Sequence, residues 1–146
     1  MIRAIVHIPD PVLKRKAKPV TDFGPELAAL LDDMTETLHS APKAIGLAAP
    51  QLGESVRVCV VDLGSGVLEL VNPEIVARAG GQDFTEGCLS MPGKKARTRR
   101  SKRIHIRAQK RDGSTFEQGA EGLLAVAIQH EVDHLDGILM TERWTR

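Results

Sequence analysis

Leu27, Leu30, Leu31, Met34 and Leu38 recur at three- and four-residue intervals behind Pro25, the spacing that gathers apolar side chains on one helical face. Proline has no N–H to lose in a first turn, so Pro25 opens this helix. Asp10 ahead of Pro11 predicts a shorter, capped turn, and the Ile5-Val6-His7-Ile8 run before it reads as a first strand. Further strands are expected at 56–62, 66–71 and 104–110. In the last of these Ile104, Ile106 and Ala108 alternate with Arg103, His105 and Arg107, which puts the two sets on opposite faces. Asp112-Gly113 is a hairpin signal. Residues 122–135 are nearly all apolar and predict a buried helix, with Gly137 as its C-terminal stop. Short strands in runs beside buried helices predict an α+β domain.

Composition narrows this to one aliphatic core. A chain of 146 residues is a single domain that buries about two-thirds of its unfolded surface. Apolar residues make up 42%, while aromatics are 3% and tyrosine is absent. The net charge of +1 gives no global attraction to nucleic acid. The N-terminal apolar run is too short for a signal peptide, and no stretch is long enough to cross a membrane. A cytoplasmic location with no membrane partner is the expectation.

The chemistry sits in the last predicted helix, at Gln129-His130-Glu131-Val132-Asp133-His134. Residues four apart share a helical face, with Cβ atoms about 5 to 6 Å apart. Two imidazoles in that arrangement can grip one metal ion while Glu131 reaches its water. A catalytic site needs three protein ligands and an open position. A third histidine downstream would indicate a metzincin, but after Gly137 the chain supplies Met140. A glutamate on a later helix would indicate a thermolysin-like enzyme, yet only twelve residues follow His134.

Upstream, Cys59 lies in an apolar strand-like run and reads as core. His105 shares the polar face of its strand, and His7 and His39 have no second ligand near them in sequence. Cys88 is different, because Gly87 lets the backbone approach closely and no aliphatic run buries the thiol. The set Cys88, His130 and His134 plus water follows. Two cysteines with different tasks make no disulfide framework, and a thiolate ligand suits a reducing compartment.

These residues carry a resemblance to the peptide deformylases. Three blocks match in order: Ile45-Gly46-Leu47-Ala48-Ala49-Pro50-Gln51, then Glu86-Gly87-Cys88-Leu89-Ser90, then Gln129-His130-Glu131-Val132-Asp133-His134-Leu135. The likeness runs from Pro9 to Leu139, so residues 1–146 are read as one deformylase-like catalytic domain. The resemblance implies antiparallel β-sheets packed around a central helix that carries the motif. It implies hydrolysis of the N-formyl group of N-formylmethionyl peptides from nascent proteins, with release of formate. Glu131 would be the general base and acid, with the Gln51 side-chain amide and the Leu89 N–H as oxyanion donors. Peptide would lie along Ala44, Ile45 and Gly46 opposite Gly87. Leu123, Val126 and Ala127 share the face of His130 and would form an apolar wall suited to methionine. One divalent ion per chain is implied, Fe2+ in the cell, with Zn2+, Ni2+ or Co2+ compatible with the same donors. Glu86 and Asp133 are each either partners that support the ligands or solvated acids, and the structural role is preferred.

Three departures stand out. Where the family's first block opens with glycine this chain has Ala44, and at a positive φ the methyl would cost about 1–2 kcal/mol. Val126 replaces a longer or polar side chain. The chain stops at Arg146, without the extended C-terminal helix common in the family, which puts ribosome docking by such a helix in doubt. These departures motivate one rival, a deformylase-like protein that binds metal and peptide without efficient turnover. Residues 94–111, which begin with Lys94 and end with Arg111, hold ten Lys or Arg. A transient ribosome contact is one reading of that segment. A solvated face is preferred, because no aromatic residue interleaves to stack bases and nothing points to specific DNA.

Overall fold

The computed structural model describes residues 1–143, and the expectation about an extended C-terminal helix falls on 144–146, outside the described residues. The first long helix, α1, spans Pro25–Ser40 and buries all five predicted apolar positions. The second, α2, spans Gly122–Leu135. Among the described residues there are seven strands: β1 (Gly46–Ala48), β2 (Val58–Asp62), β3 (Val67–Ala79), β4 (Gln82–Gly87), β5 (Lys95–Arg100), β6 (Arg103–Gln109) and β7 (Thr115–Glu121). They form a five-stranded sheet in the order β1-β2-β3-β6-β7 and a separate β4-β5 hairpin. Every ladder between them is antiparallel. The architecture is the expected α+β arrangement of antiparallel sheets around a motif-bearing helix.

Strand β2 shows why α2 lies where it does. Cys59 and Val61 join Ala125, Ile128, Val132 and Leu135 of α2 in one core cluster. Val58 and Val60, which point the other way, join Leu27, Leu31, Met34 and Leu38 of α1 in a second. The large sheet is therefore covered by a helix on each face, and β2 is buried on both. Each residue from Ala125 to Leu135 is buried, so α2 has no solvated stripe and its polar side chains must find partners inside.

The ends of α2 are tied down. Gly137 has φ +73, and its N–H donates to the His134 carbonyl (3.1 Å) while that of Ile138 reaches Asp133 (2.8 Å), closing the helix as the glycine predicts. The Leu135 carbonyl accepts from the Ala17 N–H (2.8 Å) and from the Arg57 guanidinium (2.9 Å).

Four differences from the sequence expectations have physical causes. The N-terminal run around His7 is not a strand. It makes single links instead, Val6 N–H to the Gln51 carbonyl (2.7 Å) and Ile8 N–H to the Ser90 carbonyl (2.9 Å). Strand β3 runs beyond the expected Val71, because register shifts around Asn72-Pro73 and Val76 break the alternation without ending the strand. Strands β4 and β5 were not expected, and β7 only as the partner that the Asp112-Gly113 hairpin signal implies; β6 and β7 do pair across that turn. Nor is residues 94–111 a uniformly solvated face: Arg100 is buried, whereas Arg103 and Arg107 do point outward from β6 as their alternation requires.

Candidate metal centre

Helix α2 presents His130 and His134 one turn apart, with ring centroids 5.0 Å from each other. The loop leaving β4 brings Cys88 to them across a wide gap in sequence, its Sγ 3.3 Å from His134 Nε2. One donor atom from each of Cys88, His130 and His134 lies within 4.8 Å of the others. The remaining candidates do not join them. Cys59 is fully buried in the core, His105 bonds Glu117 on the exposed face, and His39 bonds Asp62.

The orientation of His130 is set by a second layer of contacts. His130 Nδ1–H donates to Glu86 (2.7 Å), which leaves Nε2 with the lone pair for a cation. Glu86 in turn accepts from Arg100 Nε (2.8 Å) and Nη2 (2.9 Å) and from the Thr98 hydroxyl. Arg100 Nη1 continues to Asp133 on α2 (2.5 Å), and Arg143 closes on the same carboxylate (3.1 Å). Both acids therefore belong to a buried ion-pair chain, and neither is a solvated loop acid. Sequence reasoning missed Arg100. It sits among basic residues in a strand whose inward positions are Ala96, Thr98 and Arg100, so no apolar alternation marks that strand or its inward face.

Electrostatics follow from these contacts. Burial pushes the Glu86 carboxyl up, but Arg100, His130 and Thr98 outweigh it and hold the pKa at about 2. Burial also lowers His130, yet the charge of Glu131 and the contacts with Cys88 and Glu86 raise it to about 10. A cation at Nε2 must displace that proton. His134 goes the other way, lowered to about 3 by burial and by the neighbouring His130 and Arg100, so its ring is neutral as a ligand must be. Its Nδ1 is buried with no hydrogen-bond partner. A thiol and two imidazoles, converging on one point with His130 oriented from behind by Glu86, fit a divalent transition metal.

Glu131 is 4% exposed, and its Oε1 has no partner. Burial raises its pKa to about 7, with Glu86 and Asp133 adding to the rise and His130 and Arg100 opposing it. The carboxylate lies against the backbone of β1, where a Cβ placed on Gly46 would come within 2.5 Å of Oε2. Gln51 is 1% exposed in the short turn after β1. Its Oε1 accepts from the Ala48 N–H (2.9 Å). This fixes the amide so that Nε2 donates to Ser90 Oγ (3.2 Å) and faces Cys88 Sγ at 3.6 Å.

A cavity of about 600 Å³ opens over these groups. Ala44, Ile45, Gly46 and Gln51 line it from β1 and the turn after it, Gly87, Cys88 and Leu89 from the end of β4, and Leu123, Val126, Ala127, His130 and Glu131 from α2. Leu123 is 40% exposed, an apolar side chain left open at the mouth. The condition for strain at Ala44 is not met: the positive φ falls one residue earlier, at Lys43 (φ 66). The motive that Ala44 gave for an impaired protein is removed with it.

Comparison with known proteins agrees with this geometry. Residues 2–146 match the family model for Polypeptide deformylase. A peptide deformylase of Heliobacterium modesticaldum is 52% identical over 139 residues, covering 95% of this chain and 91% of that one. The crystal structure of peptide deformylase from Thermotoga maritima superposes with a TM-score of 0.97 at 39% identity, covering 100% of this chain and 99% of that one. A class I type b peptide deformylase from Acinetobacter baumannii, solved with Met-Ala-Ser bound, superposes with a TM-score of 0.92 at 30% identity over 98% of each chain. With its three blocks gathered at one buried centre and full-length likeness on both sequence and structure, the chain belongs to the polypeptide deformylase family.

Proposed function

We propose that this enzyme hydrolyses the N-formyl group of N-formylmethionyl peptides, releasing formate, at the centre formed by Cys88, His130, His134 and Glu131. The observation that carries the reading is the convergence of those three donor atoms within 4.8 Å beside a buried carboxylate without a partner. A divalent ion held by Cys88, His130 and His134 supplies Lewis acidity, which brings the pKa of water down toward about 7. Fe2+ is the ion proposed for the cell, and Zn2+, Ni2+ and Co2+ suit the same donors.

Glu131 takes the proton as the water oxygen attacks the formyl carbon, then passes it to the amine as the C–N bond breaks. A carboxyl with a pKa of about 7 is matched to both transfers. The Gln51 Nε2 and the Leu89 N–H stabilise the oxyanion, Gln51 being already oriented by its bond to Ala48. Peptide adds to the free edge of β1 beside Ile45 and Gly46, opposite Gly87 at the end of β4. The methionine side chain fills the space over Leu123, Val126 and Ala127. The family relative that holds Met-Ala-Ser supports a methionine at the first position. No described helix is long and apolar enough to cross a membrane, and a cytoplasmic site of action on nascent chains is part of the proposal.

The test is formate release from formyl-Met-Ala-Ser by protein purified without oxygen. Glu131→Gln is expected to lose about 10²- to 10⁴-fold in kcat with metal content unchanged. Full activity in that variant would remove Glu131 from the mechanism.

A further inference from the structure

Lys43, Lys94 and Lys95 all line the mouth of the cavity and all are exposed. The only carboxylates in the same lining are Glu86 and Glu131, and both are buried at its inner end. Among the described residues, Lys14 is the one lysine in an ion pair, so the three at the mouth have no carboxylate partner there. Other cations nearby are partly compensated: Arg97 and Arg99 share the one carboxylate of Asp83.

The lysines stand on both sides of the peptide path. Lys95 is the cross-strand partner of Gly87, next to the ligand Cys88. Lys43 lies three residues before Gly46, at most about 10 Å along an extended chain. A peptide whose formyl carbon lies over Glu131 advances about 3.3 Å per residue, which brings its second and third side chains level with these ammonium groups.

Resting on the deformylase reading, we infer that Lys43, Lys94 and Lys95 form a cationic mouth that selects formylmethionyl peptides with an acidic residue at the second or third position. The lysines touch neither the reacting bond nor the ligands. They act on peptide capture, through a field that salt screens with a length of about 10 Å at 0.1 M.

The experiment measures kcat/KM for formyl-Met-Glu-Ser, formyl-Met-Ala-Ser and formyl-Met-Lys-Ser at about 20 mM and about 0.5 M salt. Exposed pairs are each worth a few-fold at most, so the glutamate peptide is expected to exceed the lysine peptide by roughly tenfold at low salt. The ratio should shrink toward about twofold at high salt, with the difference mainly in KM. In the triple variant Lys43→Glu, Lys94→Glu, Lys95→Glu the order should invert. Turnover of all three peptides with equal kcat/KM, or a preference that ignores both salt and the triple variant, would overturn the cationic mouth while leaving the deformylase reading intact. No turnover of any peptide would instead remove the deformylase reading on which the inference rests.

Discussion

Glu131 shows how much a single contact decides. Its carboxylate sits where a β-carbon on Gly46 would be, 2.5 Å from Oε2, so Gly46→Ala must displace the base or the strand. The expected result is a fall in kcat of about 10²-fold, in line with a misplaced catalytic group, with the metal retained; unchanged kcat would mean that the carboxylate has room to spare. The pH dependence follows from the same burial. A base works when deprotonated, so activity is present above its pKa and lost as pH falls through it. With a pKa of about 7 before a cation is considered, and a neighbouring cation moving it lower, the rising limb of kcat/KM belongs at or below pH 7. A limb well above pH 7 would contradict the assignment. At this scale His130, His134, Glu131 and Cys88 were legible from residue type and spacing, and Gln51 from the resemblance. Arg100 was not, because a buried arginine in a basic strand looks like any surface cation until Glu86 and Asp133 are seen beside it.

Among the elements, β5 matters more to the centre than its sequence suggests. It carries Thr98 and Arg100 inward to Glu86, and through Glu86 it fixes the ring of His130. Arg100→Leu leaves the buried Glu86 without its guanidinium partner and Asp133 with Arg143 alone. The expected cost is about 3–5 kcal/mol in denaturant unfolding, together with metal affinity about 10- to 100-fold weaker. A variant of wild-type stability and affinity would show that the ion-pair chain is incidental. Helix α1 and strand β6 were legible because their apolar residues keep one period each, and α2 and β2 because theirs run on unbroken. Strands β4 and β5 were not, since Glu86, Thr98 and Arg100 occupy inward positions where an apolar alternation is normally read. The N-terminal run failed in the opposite sense: Ile5, Val6 and Ile8 are strand-like in type, but the chain there uses its N–H groups on Gln51 and Ser90 and supports the site instead of extending a sheet.

The whole molecule is organised to bring three distant stretches to one point. The turn after β1 delivers Gln51, the exit of β4 delivers Cys88, and α2, enclosed over most of its length, delivers the two histidines and the base. Two aliphatic clusters on either face of β2 hold this arrangement, and the near absence of aromatics costs the fold nothing that Leu, Val, Ile and Ala do not supply. The proposed chemistry requires Cys88, His130 and His134 to bind one ion together. X-ray absorption at the edge of the bound metal reads that shell directly: one sulfur at about 2.3 Å and two imidazole nitrogens at about 2.0 to 2.1 Å are predicted for zinc-substituted protein, with the sulfur lost in Cys88→Ala. A shell of nitrogen and oxygen alone in the wild-type protein would contradict it.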